Sequence, residues 1–185
     1  MSKKKIGFVS LYETEVKDSY VGTVLITDHY GIPLEFKCTH SVKATAIQKA
    51  LYGERLEPYI GIELCAIPLL KSITNTPDFI FVNVPYLIAI RKKIDVPTIL
   101  INRASKEEVT GEIMENTKEG KILVVNEYGT YEPVELEYHP DYLKKDTTNS
   151  LEDIKSVFTN FDLYEPFERM KKSVEILGKS DSKFK

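Results

Sequence analysis

A chain of 185 residues with 42% apolar side chains can bury one core of ordinary size, and its length favours a single domain. Its 25 basic and 28 acidic residues nearly cancel, for a formal charge of −3. Bulk electrostatics therefore supply no case for a dedicated nucleic-acid or anionic-membrane binder, although a local basic patch stays open.

Cys38 and Cys65 lack CxxC spacing, which removes a disulfide framework and a zinc finger. No segment approaches the roughly 20 uninterrupted apolar residues of a membrane span. The basic start at Lys3, Lys4 and Lys5 is followed by an apolar run too short for a signal peptide and broken by Glu13 and Glu15, so a cytoplasmic location is expected. Gln48 is the only glutamine, tryptophan is absent, and Lys and Glu are plentiful, a balance found in proteins from hot environments.

In chain order, Lys5 to Tyr12 is dense in Ile, Phe, Val and Leu and predicts a strand. Residues Tyr20 to Thr27 alternate with β-branched side chains on both faces and predict a second. Asp28-His29-Tyr30-Gly31 has turn chemistry, which makes Ile32 to Cys38 the return strand of a hairpin. Pro33 cannot donate to a ladder and points to an edge.

The period then becomes helical. Ser41 as cap and Gly53 as stop bracket a helix over Val42 to Tyr52. A second, largely apolar helix runs from about Pro58 to Thr74, with Pro68 as its weak point. The FIFVNV run is a buried strand, Tyr86 to Ile94 a helix, and Val96 to Asn102 another strand, forming a β-α-β unit.

Beyond Ala104, Lys106 to Lys118 predicts a helix, and residues Gly120 to Tyr128 and Tyr131 to Tyr138 predict a second hairpin. The polar stretch Tyr138 to Asn149 predicts a linker, so residues 1–145 form a mixed α/β domain and residues 146–185 a helical arm and tail. Ser150 with Asp153 resembles a capping box for the next helix. Asp162 opens a last amphipathic helix, and Ser180 to Lys185 is expected to be a disordered tail.

Three antiparallel strands, helix, strand, helix and strand make a βββαβαβ order in an α/β or α+β fold with a mixed sheet. That order resembles the ribonuclease H-like folds. The resemblance implies, for a nuclease, carboxylates holding Mg²⁺ or Mn²⁺ from the first strand, the helix after the third strand, and the end of the fourth strand. This chain departs from the pattern: Glu13 lies just beyond the first strand and Asn83 ends the fourth, while Glu63 could occupy the helix position. Separately, GIPLEF followed by LYGERLEPY resembles the signature of an uncharacterised bacterial protein family, which implies no activity.

Candidate residues divide accordingly. Glu63, within an apolar helix, and Asp28, at a hairpin tip, are the candidates for catalysis, with the structural reading favoured for both. Glu35 and Glu57 have structural explanations, on a strand face and at a helix start. Tyr30, Tyr52 and Tyr59 with Arg55 offer aromatic faces and a cation for a nucleotide or single strand, or equally a protein interface. His29, Cys38, His40 and Cys65 lack a metal-spacing motif, so no metal site is expected. Neither a phosphate loop nor a nucleophile triad occurs. The expectation is a non-catalytic interaction or assembly module with a protein partner or a homo-oligomeric state; the alternative is a diverged ribonuclease H-like nucleic-acid binder or metal-dependent nuclease.

Overall fold

The computed structural model describes residues 3–104 and 120–185. Eight strands form one mixed sheet in a mixed α/β fold, in the order β3-β2-β1-β5-β6-β8-β7, with β4 pairing β2 off this path. The first three, β1 (Ile6–Glu13), β2 (Ser19–Thr27) and β3 (Pro33–Cys38), are antiparallel neighbours. β4 is the two-residue Val42–Lys43. On the other side β1 pairs in parallel with β5 (Phe79–Val82), and β5 in parallel with β6 (Thr98–Arg103). The hairpin of β7 (Lys121–Val124) and β8 (Val134–Tyr138) adds antiparallel to β6. The five strands β3-β2-β1-β5-β6 thus have the ribonuclease H-like arrangement.

Period-two alternation in β1 sends Ile6 and Phe8 to one face and Val9 to the other, and all three are buried. The sheet is therefore covered twice, which is why its central strands are apolar on both sides. On the first face lie α4 (Leu143–Phe158) and α5 (Glu165–Ser180), whose Leu151, Ile154, Phe158, Phe167 and Met170 join the Ile6–Phe8 core. The opposite face carries the helical run that follows α1 (Ala46–Tyr52), together with the 3-10 helix Pro85–Lys92.

Several elements differ from the sequence reading. The first helix starts later, because Val42 and Lys43 pair with β2 and Thr45, not Ser41, supplies the cap in a full capping box with Gln48. The second begins with the 3-10 turn Gly53–Arg55 and α2 (Leu56–Tyr59), widens to a π-helix over Ile60–Ala66, and ends as α3 (Ile67–Ser72). This widening immediately precedes Pro68, whose missing N–H and ring would disturb a regular helix. Gly22 lets this segment lie on β2, since a Cβ there would sit 2.3 Å from Cys65 Cβ.

The expected linker is helical: α4 begins at Leu143, and Ser150 lies inside it, donating to the Asp146 carbonyl rather than capping. Asp146 is fully buried because it holds Arg91 in a two-point ion pair, Nε to Oδ2 at 2.7 Å and Nη2 to Oδ1 at 3.1 Å. The terminal residues are docked. The Lys183 carbonyl accepts from Ser41 N–H, that of Lys185 from Ser19 Oγ, and Phe184 packs edge-on against His40. The helix expected over Lys106 to Lys118 falls outside the described residues.

Candidate functional site

Parallel strands place their carboxyl ends side by side, and the register of β1 with β5 pairs Val9 with Val82. The next rung brings together Ser10 and Asn83. Ser10 is 2% exposed, and its hydroxyl donates to Asn83 Oδ1 at 2.7 Å. Two residues on, and on the same strand face, Tyr12 Oη donates to the Phe167 carbonyl of α5 at 2.8 Å. Burial pushes the Tyr12 phenol up to about 12.

The helix carboxylate is displaced from its sequence assignment. Glu63 is 39% exposed and pairs with Lys93 at 2.8 Å, beyond the far end of the 3-10 helix Pro85–Lys92. It does not meet Asn83. Glu57 does approach this edge: Tyr86, three residues after Asn83, donates its hydroxyl to Glu57 Oε1 at 3.0 Å. Burial, reinforced by the Glu57 charge, raises the Tyr86 phenol well above its ordinary range. Glu57 stands at a helix start as expected, in the first turn of α2, and its neighbour Leu56 is buried, so this turn folds inward.

These residues do not suit the Mg²⁺ or Mn²⁺ pair of a ribonuclease H-like nuclease. Ser10 and Asn83 are neutral and satisfy one another, and Glu57 is engaged by Tyr86. Hard divalent ions are held in such sites by carboxylates. Among the described residues no group of three or more His, Cys, Asp or Glu side chains is arranged to hold a metal. Cys65 is buried and contacts Thr39 Oγ1 at 3.9 Å, while His40 is engaged by Phe184.

Of the aromatic candidates, Tyr52 and Tyr59 come together, ring centroids 5.1 Å apart, at 40% and 37% exposure. Arg55 lies between them in sequence and is exposed, with no ion pair among the described residues. Tyr30 stands apart at the β2–β3 turn, its ring tilted 41° against that of His29 with centroids 4.1 Å apart. That turn is built by Asp28, whose Oδ1 accepts from Tyr30 N–H at 2.9 Å and Ile32 N–H at 3.0 Å, and by Gly31 at φ 76°.

No family model and no curated protein matches the chain. Solved structures do. A single-substitution variant of Ciona intestinalis endonuclease V, in complex with a 23-mer DNA containing an inosine followed by a ribo-adenosine, is 13% identical over 84% of this chain and 77% of that one, with a TM-score of 0.44. Endonuclease V from Bacillus subtilis is 15% identical over 79% and 71%, at 0.42. Marinitoga piezophila Argonaute, in complex with 5′ OH guide RNA, is 14% identical over 84% of this chain and 26% of that one, also at 0.42. The likeness is one of fold.

The expectation of a non-catalytic interaction or assembly module with a protein partner or homo-oligomeric state is corrected here. Of the similar structures, those of the Ciona endonuclease V and the Marinitoga Argonaute are complexes with DNA or RNA. The amphipathic C-terminal helices that partly motivated that expectation are not free for a partner, because the apolar stripes of α4 and α5 are spent in the core under the sheet. No described helix is long and apolar enough to cross a membrane.

Proposed function

We propose that this chain is a diverged ribonuclease H-like nucleic-acid-binding protein that holds its ligand without cutting it at the carboxyl edge of the central strands. The observation that carries this reading is the Ser10–Asn83 hydrogen bond, which occupies the rung where a nuclease of this strand order needs paired carboxylates. Neutral side chains there leave a shaped edge without the charge to hold two metal ions. The exposed Tyr52–Tyr59 pair and Arg55 support the binding half, since unpaired bases stack on aromatic faces irrespective of sequence.

The test is binding of labelled single- and double-stranded DNA and RNA at low salt, where phosphate contacts are strongest, followed by incubation with Mg²⁺ or Mn²⁺. Binding without cleavage is expected. Tyr59→Ala is expected to weaken single-strand binding by about 1–3 kcal/mol. Absence of binding to every probe overturns the reading. Metal-dependent cleavage that Glu57→Gln abolishes and Glu63→Gln and Asp28→Asn do not would replace it with the nuclease alternative.

A further inference from the structure

Most cations of the body are neutralised locally: Lys4 by Asp153, Lys92 by Asp141, Lys93 by Glu63, Arg103 by Asp162. Residues 171–185 break this habit. They hold five lysines, at 171, 172, 179, 183 and 185, against Glu175 and Asp181. All five are exposed and none has an ion pair among the described residues. Asp181 is occupied as a cap, its Oδ1 accepting from Lys183 N–H at 2.9 Å.

The fold brings this charge to the same edge as Ser10 and Asn83. Tyr12, which shares Ser10's face of β1, bonds Phe167, and Lys171 follows one helical turn later. Positions 171, 175 and 179 recur every four residues and share one face of α5. Between that face, the end of β1 and the docked terminal residues lies an open cavity of about 320 Å³, with Val174 and Phe184 in its wall. Glu13 and Glu15 line it from the end of β1 and Glu175 from the lysine face of α5, so a phosphate would be drawn to the lysine ends of that face and kept away from its middle.

We propose that the Lys171–Lys179 face of α5, continued by Lys185, is the surface on which the phosphate backbone of a single-stranded nucleic acid lies. This inference rests on the nucleic-acid reading above and adds where the backbone runs. Single strands are favoured over duplex because the Tyr52–Tyr59 pair, on the helical run that covers the opposite face of the sheet and reaches the β5 end through Glu57 and Tyr86, can stack only unpaired bases. Lysine contacts of this kind act as point charges and read no sequence.

The experiment is fluorescence anisotropy with labelled dT- and U-based oligonucleotides across a salt series. It compares the full chain, a variant with Lys171→Ala, Lys179→Ala and Lys185→Ala, and a control with Lys71→Ala and Lys144→Ala on other surfaces. The triple variant is expected to lose about tenfold or more in affinity at low salt, for both oligonucleotides alike. The slope of log K against log[salt] should become shallower by about 2, near 0.7 for each phosphate contact removed. The control should match the unaltered chain. If the full chain binds but the triple variant keeps its affinity and slope, the placement is wrong while the nucleic-acid reading stands. Tighter binding of duplex than of single strands overturns the single-strand assignment. Failure of the full chain to bind any oligonucleotide overturns both.

Discussion

The Ser10 hydroxyl donates to the Asn83 side-chain carbonyl across adjacent ends of β1 and β5, and the pair is closed to further charge. Replacing both by Asp sets two carboxylates where one neutral hydrogen bond stood. In metal-free buffer, Ser10→Asp with Asn83→Asp is expected to be destabilised by about 3–5 kcal/mol through unpaired buried charge. Mn²⁺ should restore part of that loss, because an ion bound only by the folded form raises stability. Thermal melts with and without Mn²⁺ measure this; a melting temperature indifferent to the metal would mean that the rung cannot host an ion.

The Arg91–Asp146 pair joins the 3-10 helix on one face of the sheet to α4 on the other, and Arg91 also lies 4.0 Å from the Tyr142 ring centroid. Both charges are nearly inaccessible, at 3% and 0% exposure. Asp146→Ala should therefore cost about 3–5 kcal/mol, because it removes the buried carboxylate and leaves the guanidinium only the exposed Asp95 at 3.4 Å and the Ile94 carbonyl. Combining Asp146→Leu with Arg91→Met should recover much of the loss. Urea unfolding of the single and double variants gives the comparison.

Glu35 accepts from the Asn75 and Thr74 N–H groups, fixing the start of the β5 approach against the edge strand β3. These donors, with Lys37 nearby, hold its carboxyl down to about 2 against an ordinary value of 4.5. A depressed folded-state pKa means stability that is complete above the ordinary value and lost as pH falls towards 2. The difference in urea midpoint between the unaltered chain and Glu35→Gln should be largest near neutrality and shrink on acidification through that window.

Tyr138 is 1% exposed, bonded to Ser150 Oγ at 3.2 Å, and pushed up to about 12 by burial. Its raised folded-state pKa makes the sign opposite: the contribution is whole below the ordinary value near 10 and disappears as pH rises through about 12. Phenolate absorbance should show Tyr138 and Tyr12 ionising only as the pH approaches about 12. Ionisation of both near the ordinary value of about 10 would show that the core opens before these phenols ionise in place.

Local pattern made much of this fold legible. The alternation in Tyr20 to Thr27, the Asp28–Gly31 turn and the FIFVNV run each determine their own conformation, so the ribonuclease H-like strand order follows from them. The misread linker shows the opposite case. Lys144 to Asn149 looks polar and solvated, yet Asp146 is the most deeply buried carboxylate of the α4 start because Arg91, 55 residues earlier, closes over it. The helix start failed for a similar reason, since β2 claims Val42 and Lys43 by pairing across the chain. At the site, Asn83 was legible as a departure, but its partner Ser10 was not, because only register reveals which rung it shares. Glu57 and Glu63 are six apart on one helical stretch, and packing against Tyr86 and Lys93 alone separates their roles.

The close seat of Cys65 on Gly22 gives the molecule two built-in clocks. Cys65 is 1% exposed and its thiol is raised by burial, whereas Cys38, on the edge strand, is half-buried. An alkylating reagent can reach the inner thiol only when the π-helical turn lifts from β2, so the lag between the two modifications times that separation without any introduced label.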